Sequence, residues 1–311
     1  MTTTTVTVLM GGPDAEHDVS IRSGTRVADA LATFDDLVVR PRTIPATESP
    51  DHDVLAAMLD EDRCDVVFPV LHGPWGEGGP LQRMLESIGR PFVGSGADAA
   101  ARAMDKLASK RTAAIAGTAT PDAVEVVADR PIPLDPPFVI KPVDEGSSVG
   151  VRFVHATADA DAAIAELRPR HRRLMAESFV KGRELTVAIV GDDAFPVIEI
   201  VPATAFYDYE AKYLRDDTRY VVDPPLPEGL ADDLACRSRV LHDAIGARHL
   251  SRVDWLLEEP ADGGPPRIWF LEVNTMPGMT DHSLVPMAAA ARGIDFPTLC
   301  RGLVLGCRTD D

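Results

Sequence analysis

A repeated order of apolar strand, glycine-containing loop and helical segment dominates the first third of the chain. The β-branched run Val6–Met10 leads through a Gly-Gly-Pro loop into a helical pattern. The run Val66–Leu71 leads, through a loop with several glycines, into a second helical pattern around Leu81–Ile88. Chains with this alternation form parallel sheets covered by helices. The pattern predicts a parallel α/β domain over residues 1–95.

The next region has a pattern of helix followed by short strands. The alanine-rich stretch Ala97–Ala116 has strong helix propensity, is stopped by a glycine, and marks the start of a second domain. Phe138–Pro142 and Gly150–Val154 predict two strands joined by a glycine-containing loop, and Leu174–Val180 predicts a third. We therefore expect a central domain over residues 96–183.

A third domain is expected over residues 184–311. The runs Leu185–Val190 and Phe195–Val201 flank a short polar turn and predict a hairpin at its start. A polar segment over about residues 205–220 then interrupts the periodic pattern. Such a segment is long for a structureless connection, which makes it a candidate lid.

The charge and the cysteines exclude several classes of protein. The 311 residues include 31 Lys and Arg against 49 Asp and Glu, a net charge of −18 that repels nucleic acid and anionic membranes. No uncharged stretch of about 18 apolar residues occurs, and no basic residue precedes the first apolar run, so we expect a cytoplasmic protein. The four cysteines are scattered without a Cys-x-x-Cys pair, which argues against a zinc site or a disulfide framework. Any metal is expected to have oxygen ligands.

Two strand-like segments near the end of the chain carry an unusual set of polar residues. If Arg252–Leu257 and Arg267–Asn274 pair as a hairpin, Asp254 lies opposite Glu272 and Arg252 lies opposite Asn274. Two facing carboxylates repel each other unless a cation neutralises them, and carboxylate and amide oxygens suit Mg²⁺. The alternative is a solvent-exposed sheet face. The opposite, apolar face would hold Val253, Trp255, Leu257, Trp269, Leu271 and Val273.

The glycine loops of the chain do not match the common nucleotide motifs. The loop after Met10 lacks the spacing of a dinucleotide fingerprint, and no Walker-type sequence occurs. The loop Glu145–Gly150 follows a strand that bears Lys141, so backbone N–H groups, hydroxyls and a lysine could converge on phosphate. The alternative for this loop is a flexible β-turn, and Lys106 on its helix could be an ordinary surface lysine.

Taken in order along the chain, these segments resemble the D-alanine:D-alanine ligase family of the ATP-grasp superfamily. The resemblance covers nearly the whole chain. It implies a mixed α/β (α+β) fold of three domains, with a parallel N-terminal α/β domain and a nucleotide held between the central and C-terminal antiparallel sheets. The segments that carry it are Gly11–Glu16 with Ser20, Leu71–Gly73, Met104–Lys106, Ile140–Pro142, Glu145–Gly150, Phe206–Tyr213, Arg252–Asp254, Glu272–Thr280 and His282–Leu284.

The resemblance implies ATP as the nucleotide and two Mg²⁺ ions, with Mn²⁺ as an alternative metal. Two glutamates, Glu177 and Glu184, would hold the adenine amino group and the ribose hydroxyls, while lysines would offset the phosphate charge. The implied nucleotide contacts are Lys106, Lys141, Glu177, Phe179, Val180, Glu184 and Lys212, and the implied metal ligands are Asp254, Glu272 and Asn274.

The resemblance also implies a site for the first D-alanine. Glu16 would anchor its ammonium group within a hydrogen-bonded set that includes Ser147 and Tyr213. His72 would line the same pocket. The retained Tyr213 favours members that form a dipeptide over relatives that join D-alanine to D-lactate.

A second group of residues would serve the reaction centre and the second D-alanine. Arg252 and the backbone N–H of Gly278 resemble the oxyanion site, and Ser283 with Leu284 resembles the cradle for the second carboxylate. The activity implied is ATP-dependent formation of D-alanyl-D-alanine through an acyl phosphate, for peptidoglycan precursor synthesis. The expected assembly is a homodimer, without nucleic acid or membrane partners.

Some residues depart from the family pattern. Pro74 and Trp75 stand in the loop after His72, and Asp281 stands where a small polar residue is common. These departures leave open an ATP-grasp ligase that joins other amino acids in a specialised pathway. A regulatory ATP-binding protein without catalysis is a further alternative, but it would be expected to lack the metal ligands.

Overall fold

The computed structural model describes the chain in six stretches, and its secondary structure is organised around three β-sheets. The described residues are 3–47, 49–146, 149–202, 218–260, 263–280 and 283–307.

The first sheet is parallel, as the strand and helix alternation predicts. Strand β1 (Thr4–Gly11) lies in the middle, between β2 (Leu37–Ile44) and β3 (Val66–Pro69). The loops after β1 and β3 therefore leave the same edge of the sheet, which brings Glu16 and His72 to that edge. The helices of this region are α1 (His17–Leu31), α2 (His52–Glu61), the one-turn α3 (Gly73–Gly76) and α4 (Pro80–Ile88).

The second sheet is antiparallel and contains the three strands predicted for the central region. It has the order β4-β7-β5-β6, and a small apolar core that includes Phe138 and Ile140 lies on one face. A 3₁₀ turn (Thr157–Asp159) and helix α7 (Ala160–Leu167) follow its last hairpin. The strands are β4 (Ala123–Glu125), β5 (Phe138–Pro142), β6 (Arg152–Val154) and β7 (Leu174–Ser178).

The third sheet is also antiparallel and has six strands in the described residues. Its order is β11-β10-β8-β12-β13, with β9 paired to β8. The strands are β8 (Arg183–Val190), β9 (Asp193–Ala194), β10 (Ile198–Val201), β11 (Arg219–Val222), β12 (Leu250–Glu258) and β13 (Arg267–Asn274). The remaining helices are α8 (Leu230–Ile245), α9 (Leu284–Ala291) and α10 (Phe296–Gly306).

The alanine-rich stretch forms two helices, where propensity alone predicted a single helical stretch. Helix α5 (Ala97–Met104) ends at Asp105, and α6 (Lys106–Ile115) begins directly after it. Asp105 has an extended conformation (φ −74°, ψ 98°), and its carboxylate accepts a hydrogen bond from the N–H of Ala108 at 2.8 Å. An aspartate cap of this kind satisfies a free N–H of the next helix and restarts it in a new direction.

The hairpin of β12 and β13 confirms the predicted polar pairs and corrects part of the predicted apolar face. Arg252 pairs with Asn274 and Asp254 with Glu272, but a β-bulge then shifts the register so that Trp255 pairs with Phe270. The rings of Trp255 and Phe270 pack edge to face, with centroids 6.0 Å apart, and both residues are fully buried.

The prediction that Trp269 and Leu271 lie in the core beneath this hairpin was wrong. A β-bulge adds one residue to one strand, so the alternation of side chains breaks there. Leu271 instead lines a cavity beside Glu272, and the indole N–H of Trp269 donates to Glu258 Oε2 at 3.0 Å.

The parallel sheet and the C-terminal helices share one apolar core. Val8 and Phe68 of the first sheet belong to the same buried cluster as Val285 of α9 and Leu303 of α10. This packing holds the loop after β13 against the edge that carries Glu16 and His72. In the described part of the chain, none of the helices combines the length and apolar character that a membrane crossing requires. All four cysteines are free thiols.

Candidate active site

Three neighbouring cavities lie in a line along the two antiparallel sheets. The largest, about 1150 Å³, lies between them, and the next, about 110 Å³, shares Lys141 and Glu184 with it. The smallest, about 20 Å³, shares Lys106, Glu145 and Glu272 with the middle one. One continuous cleft therefore runs from the large cavity to the carboxylates of β12 and β13.

The large cavity is lined by five of the seven residues predicted to contact the nucleotide: Lys141, Glu177, Phe179, Val180 and Glu184. Phe179 packs edge to face against Phe153, with ring centroids 5.6 Å apart, and provides an apolar wall. Glu184 lies on β8, opposite Ile200 of β10 and Leu256 of β12, and reaches both the large and the middle cavity. The volume and mixed lining are typical of a small-molecule site.

Glu177 is a buried carboxylate between two lysines. Lys141 Nζ lies 2.8 Å from Glu177 Oε1, and Lys110 Nζ lies 2.6 Å from Glu177 Oε2. Burial by itself would raise the pKa of Glu177, but the charges of Lys141 and Lys110 and their hydrogen bonds lower it to about 2. Glu177 is therefore ionised, and its position is fixed from two sides.

Lys106 lies in the middle of the cleft. It is the first residue of α6, its Nζ donates to the backbone carbonyl of Glu145, and the same Nζ is 3.4 Å from Glu272 Oε2. Its side chain is 10% exposed, so the alternative of an ordinary surface lysine is excluded.

The three predicted metal ligands face one another across β12 and β13. Asp254 is paired with Glu272, and the amide nitrogen of Asn274 donates to Asp254 Oδ2 at 3.2 Å. Arg252 donates to both oxygens of Asp254, at 2.9 and 2.7 Å. The hydroxyl of Thr186, opposite Asp254 on β8, donates to Asp254 Oδ1 at 2.6 Å. The solvent-exposed alternative for this face is excluded for Asp254, which is 5% exposed.

This donor set fits magnesium bound together with a nucleotide. No group of three or more His, Cys, Asp or Glu side chains is arranged to hold a metal in the described residues. Mg²⁺ is commonly held by one or two carboxylates, waters and substrate phosphates. Two facing carboxylates, Asp254 and Glu272, and the amide of Asn274 match that pattern. Arg252 offsets the negative charge of Asp254, and Lys106 offsets that of Glu272.

A second group of acidic residues lies where the cleft meets the parallel sheet. Glu16, at the start of α1, is 8% exposed, and Glu77, just after α3, is 9% exposed. A side chain on Gly146 would come within about 4 Å of both carboxylates, so Gly146 leaves room between them. Burial and the charge of Glu16 raise the pKa of Glu77 well above its usual value, although a hydrogen bond from the N–H of Gly73 opposes this.

His72 is buried beside these acids and is held neutral. Burial lowers the pKa of its imidazole, against the raising effect of the Glu16 charge and of a hydrogen bond to the backbone of Met276. Its Nε2 atom has no hydrogen-bond partner among the described residues. A buried polar atom without a partner is costly, and a ligand group in this pocket would satisfy it.

The predicted oxyanion and carboxylate residues follow directly after β13. Gly278 and Ser283 are close, since a side chain on Gly278 would lie 3.0 Å from Ser283 Oγ. Ser283 is the N-cap of α9, its Oγ accepts from the N–H of Thr280 at 2.9 Å, and Leu284 begins the helix. Arg252 lies on β12 with its guanidinium on Asp254, near His72 and Glu77.

Some predicted site residues lie outside the described residues. These are Ser147, Lys212 and Tyr213, together with most of the predicted lid, since residues 203–217 are not described; Asp281, which departs from the family pattern, also lies outside them.

The loop that departs from the family pattern is tied to the loop after β1. Asp14 Oδ2 accepts from the N–H groups of Trp75 and Gly76, at 2.9 and 3.1 Å. Trp75 packs against the apolar cluster of Leu71 and Leu81, beside Gly12. Pro74 lies at the first turn of α3, where its missing N–H costs nothing. Pro74 and Trp75 therefore lie in a segment that helps to hold the loops around the pocket in place.

Sequence reasoning did not assign three residues that the fold brings to this cleft. Lys110 is four residues after Lys106, so both fall on one helical face, which was the available signal. Thr186 became relevant only through its register with Asp254. Glu77 carried no signal beyond its place in a glycine-rich loop, because its burial depends on distant segments.

Comparisons with known proteins agree with this arrangement. Residues 45–95 match the family described as D-ala D-ala ligase N-terminus, and residues 116–305 match D-ala D-ala ligase C-terminus. A D-alanine–D-alanine ligase from Paramagnetospirillum magneticum is 43% identical over 98% of this chain and 99% of its own. A second, from Dechloromonas aromatica, is 43% identical over 95% of each chain.

Solved structures show the same fold. The ligase from Bacillus anthracis complexed with ATP aligns with a TM-score of 0.81 and 27% identity, over 98% of this chain and 97% of that chain. The fold class expected from the sequence, a mixed α/β ATP-grasp fold with a parallel N-terminal sheet and antiparallel central and C-terminal sheets, is thereby confirmed. The chain belongs to the D-alanine–D-alanine ligase family.

Proposed function

We propose that the protein joins two D-alanines to D-alanyl-D-alanine, with cleavage of ATP to ADP and phosphate, to supply a peptidoglycan precursor. The observation that carries this proposal is the continuous cleft. It begins at the ionised Glu177, passes Lys106 and Lys141, and ends at the acidic group around Glu16 and Glu77. A nucleotide at one end and an amino acid at the other would meet at the carboxylates of β12 and β13.

The first step makes the substrate carboxylate reactive. An oxygen of the first D-alanine carboxylate attacks the γ-phosphorus of ATP, the bond to the β-phosphate oxygen breaks, and ADP leaves. Lys106 and Lys141 offset negative charge on the phosphates. Asp254, Glu272 and Asn274 would hold two Mg²⁺ ions, which supply further charge neutralisation when bound, with Mn²⁺ as an alternative.

The second step forms the peptide bond. The neutral amine of the second D-alanine attacks the acyl carbon, giving a tetrahedral oxyanion. Phosphate then leaves with the electron pair of the broken C–O bond and takes up the proton that the nitrogen loses. The guanidinium of Arg252 and the N–H of Gly278 stabilise the oxyanion. Arg252 is held on Asp254 by two hydrogen bonds, so it reaches this position from a fixed strand.

The two amino acids occupy opposite sides of this centre. Glu16 binds the ammonium of the first D-alanine, together with Ser147 and Tyr213. His72, whose Nε2 is buried without a hydrogen-bond partner among the described residues, lies beside Glu16. Ser283 and the start of α9 at Leu284 bind the carboxylate of the second D-alanine, where free N–H groups favour an anion.

Several parts of the proposal rest on the sequence. From the sequence we propose domains of residues 1–95, 96–183 and 184–311, and a lid over about residues 205–220 in which Lys212 offsets phosphate charge and which excludes water from the acyl phosphate. The protein acts in the cytoplasm as a homodimer.

The direct test is an ADP-release assay with ATP, Mg²⁺ and either enantiomer of alanine, with the product identified by mass. The expected result is release of one ADP for each D-alanyl-D-alanine. Release of AMP and pyrophosphate would contradict an acyl-phosphate mechanism, and turnover with L-alanine alone would contradict the substrate. A D-serine arm tests the second candidate, a ligase for other amino acids. Turnover there that exceeds turnover with D-alanine would favour that candidate.

A further inference from the structure

Lys110 lies behind the nucleotide cavity and is almost fully buried. Its side chain is 5% exposed, and the residue does not line any of the three cavities described above. Lys110 Nζ contacts Glu177 Oε2 at 2.6 Å and donates to the hydroxyl of Thr120 at 2.6 Å. Thr120 in turn donates to the backbone carbonyl of Phe270 on β13, at 3.0 Å. Lys110 thus connects Glu177 of the central sheet to the edge of the third sheet.

Lys141 differs from Lys110 in its access to the cavities. It also contacts Glu177, at 2.8 Å, but it lines both the large and the middle cavity. A phosphate in the middle cavity would therefore meet Lys141 and Lys106, while Lys110 could not reach it. The two lysines on Glu177 have different access to a ligand, although they carry the same charge.

This difference matters because a buried carboxylate requires a cation. Once Lys141 is drawn toward phosphate, its attraction for Glu177 is shared with a stronger anion. An ionised carboxylate that is 4% exposed would then be poorly compensated, and removal of one partner from a buried pair is strongly unfavourable. A second lysine that no ligand can reach avoids this conflict.

We propose that Lys110 is a positioning residue for the nucleotide. It is the permanent counter-ion of Glu177, which keeps that carboxylate charged and in place while Lys141 turns to the phosphates of ATP. The inference rests on the proposed nucleotide site. The low pKa of Glu177, which Lys141 and Lys110 together set against burial, agrees with two cations acting on one carboxylate.

The test is a double-mutant cycle of Lys110→Met and Glu177→Gln, with the Kd for ATP and Mg²⁺ measured by calorimetry in the absence of amino acid. In the wild-type background, Lys110→Met should raise the Kd about tenfold, while kcat and the KM for D-alanine stay within about threefold. In the Glu177→Gln background, the same change should alter the Kd by less than about twofold, because no carboxylate is left to hold. An equal factor in both backgrounds, or no effect in the wild type, would overturn the proposal.

Ala113→Gly is the matched control for damage to α6. Ala113 is buried on the same helix, three residues from Lys110, and carries no charge. This variant should lower the Tm through the poor helix propensity of glycine and leave the Kd for ATP within about twofold. A rise in Kd as large as that of Lys110→Met would mean that any disturbance of α6 weakens binding, which contradicts a specific role for the lysine.

If Lys110→Met does not fold, Thr120→Val answers the same question. It keeps the charge of Lys110 but removes the hydroxyl that accepts from Nζ. The Kd for ATP should rise about threefold in the wild-type background and stay unchanged with Glu177→Gln. An equal rise in both backgrounds would contradict the proposal.

The calorimetric readout separates this inference from the proposed function. If the enzyme binds ATP but releases no ADP with D-alanine, the substrate assignment fails while the cycle still decides the role of Lys110. If the wild type does not bind ATP, both fail.

Discussion

Glu77 and Glu177 are both buried glutamates of one cleft, yet their ionisation is shifted in opposite directions. Burial and the charge of Glu16 raise the pKa of Glu77 well above its usual value. Burial acts on Glu177 in the same sense, but Lys141 and Lys110 reverse the outcome and lower its pKa to about 2. The two residues have the same side chain and similar exposure, so the neighbouring charges decide the difference.

The contrast extends to the two ends of the cleft. The large cavity at the nucleotide end is lined by four cationic side chains (Lys141, Arg152, Lys181 and Arg183) and three carboxylates (Glu177, Glu184 and Glu199), and Lys110 lies behind it, so cations are in excess there. At the amino-acid end four carboxylates, on Glu16, Glu77, Asp254 and Glu272, surround two cations, Arg252 and Lys106. The excess of cations at the nucleotide end suits a phosphate chain. The excess of carboxylates at the amino-acid end suits metal ions and an ammonium group. Substitutions at Glu272, Glu177, Thr186 and Glu77 each alter one end of the cleft and so test this charge difference.

The largest effect is expected from Glu272→Gln, which removes one charge from the acidic end and keeps the side-chain shape. We expect kcat to fall about a hundredfold or more, and extra Mg²⁺ to restore it only in part, because a ligand charge is lost. The assay is kcat as a function of Mg²⁺ concentration. Glu258→Gln, on the same hairpin but bonded to Trp269, is the control and should stay within about twofold. An unchanged kcat at low Mg²⁺ would show that Glu272 is not a ligand.

Glu177→Gln is expected to have the next largest effect, on stability. The pKa of about 2, against the usual 4.5, corresponds to about 3 kcal/mol of unfolding free energy at neutral pH. Since the folded-state pKa is lowered, this contribution is present above pH 4.5 and is lost as the pH falls toward 2. The difference in unfolding free energy between the wild type and Glu177→Gln should therefore shrink as the pH falls through that range. Denaturation of both proteins at several pH values measures this difference. Glu166→Gln, in an exposed pair with Arg152, should change stability far less. A gap that is constant with pH would contradict the ion-pair explanation.

Thr186→Val tests how the metal carboxylate is held. The hydroxyl of Thr186 donates to Asp254 at 2.6 Å, and a hydrogen bond to a charged group contributes about 1.5 to 3 kcal/mol. We expect kcat to fall about tenfold at limiting Mg²⁺ with a smaller loss at saturation. Thr186→Ser retains the hydroxyl and should recover most of the activity. Equal activity of the Val and Ser variants would mean that the hydroxyl does not position Asp254.

The smallest effect is expected from Glu77→Gln, and its sign is opposite to that of Glu177→Gln. The raised pKa means that ionisation of Glu77 destabilises the fold increasingly as the pH rises above 4.5. Glutamine cannot ionise, so the unfolding free energy of the variant should rise relative to that of the wild type as the pH increases from 4.5 to 7.5. Thermal unfolding of both proteins at several pH values measures this gain. A loss of stability that grows with pH would mean that Glu77 is stabilised as an anion.

The opposite faces of the hairpin show how far sequence reasoning reaches. Pairing about Gly263 placed Asp254 opposite Glu272 correctly, although next to the turn Glu258 pairs with Arg267 and a bulge lies between the two pairs. The bulge beside them was not encoded in the alternation of polar and apolar residues. It places Phe270 rather than Leu271 in the core, where the Phe270 ring packs edge to face against Trp255.

Charges that meet across long sequence distances were harder to predict. Lys106 and Lys141 carried motif signals, and both reach the cleft. Lys110 pairs with Glu177, which is 67 residues away in the sequence. The pKa of Glu77 is shifted by residues on other segments. Such shifts depend on burial and on three-dimensional neighbours, which only the folded chain specifies.

The most direct test of the charge comparison is a crystal structure with a non-hydrolysable ATP analogue, Mg²⁺ and D-alanine. The adenine is expected beside Glu177 and Phe179, the phosphates at Lys106 and Lys141, the metal on Asp254 and Glu272, and the ammonium at Glu16. Phosphates bound beside Glu16 and Glu77, or a metal bound at Glu177, would contradict the account.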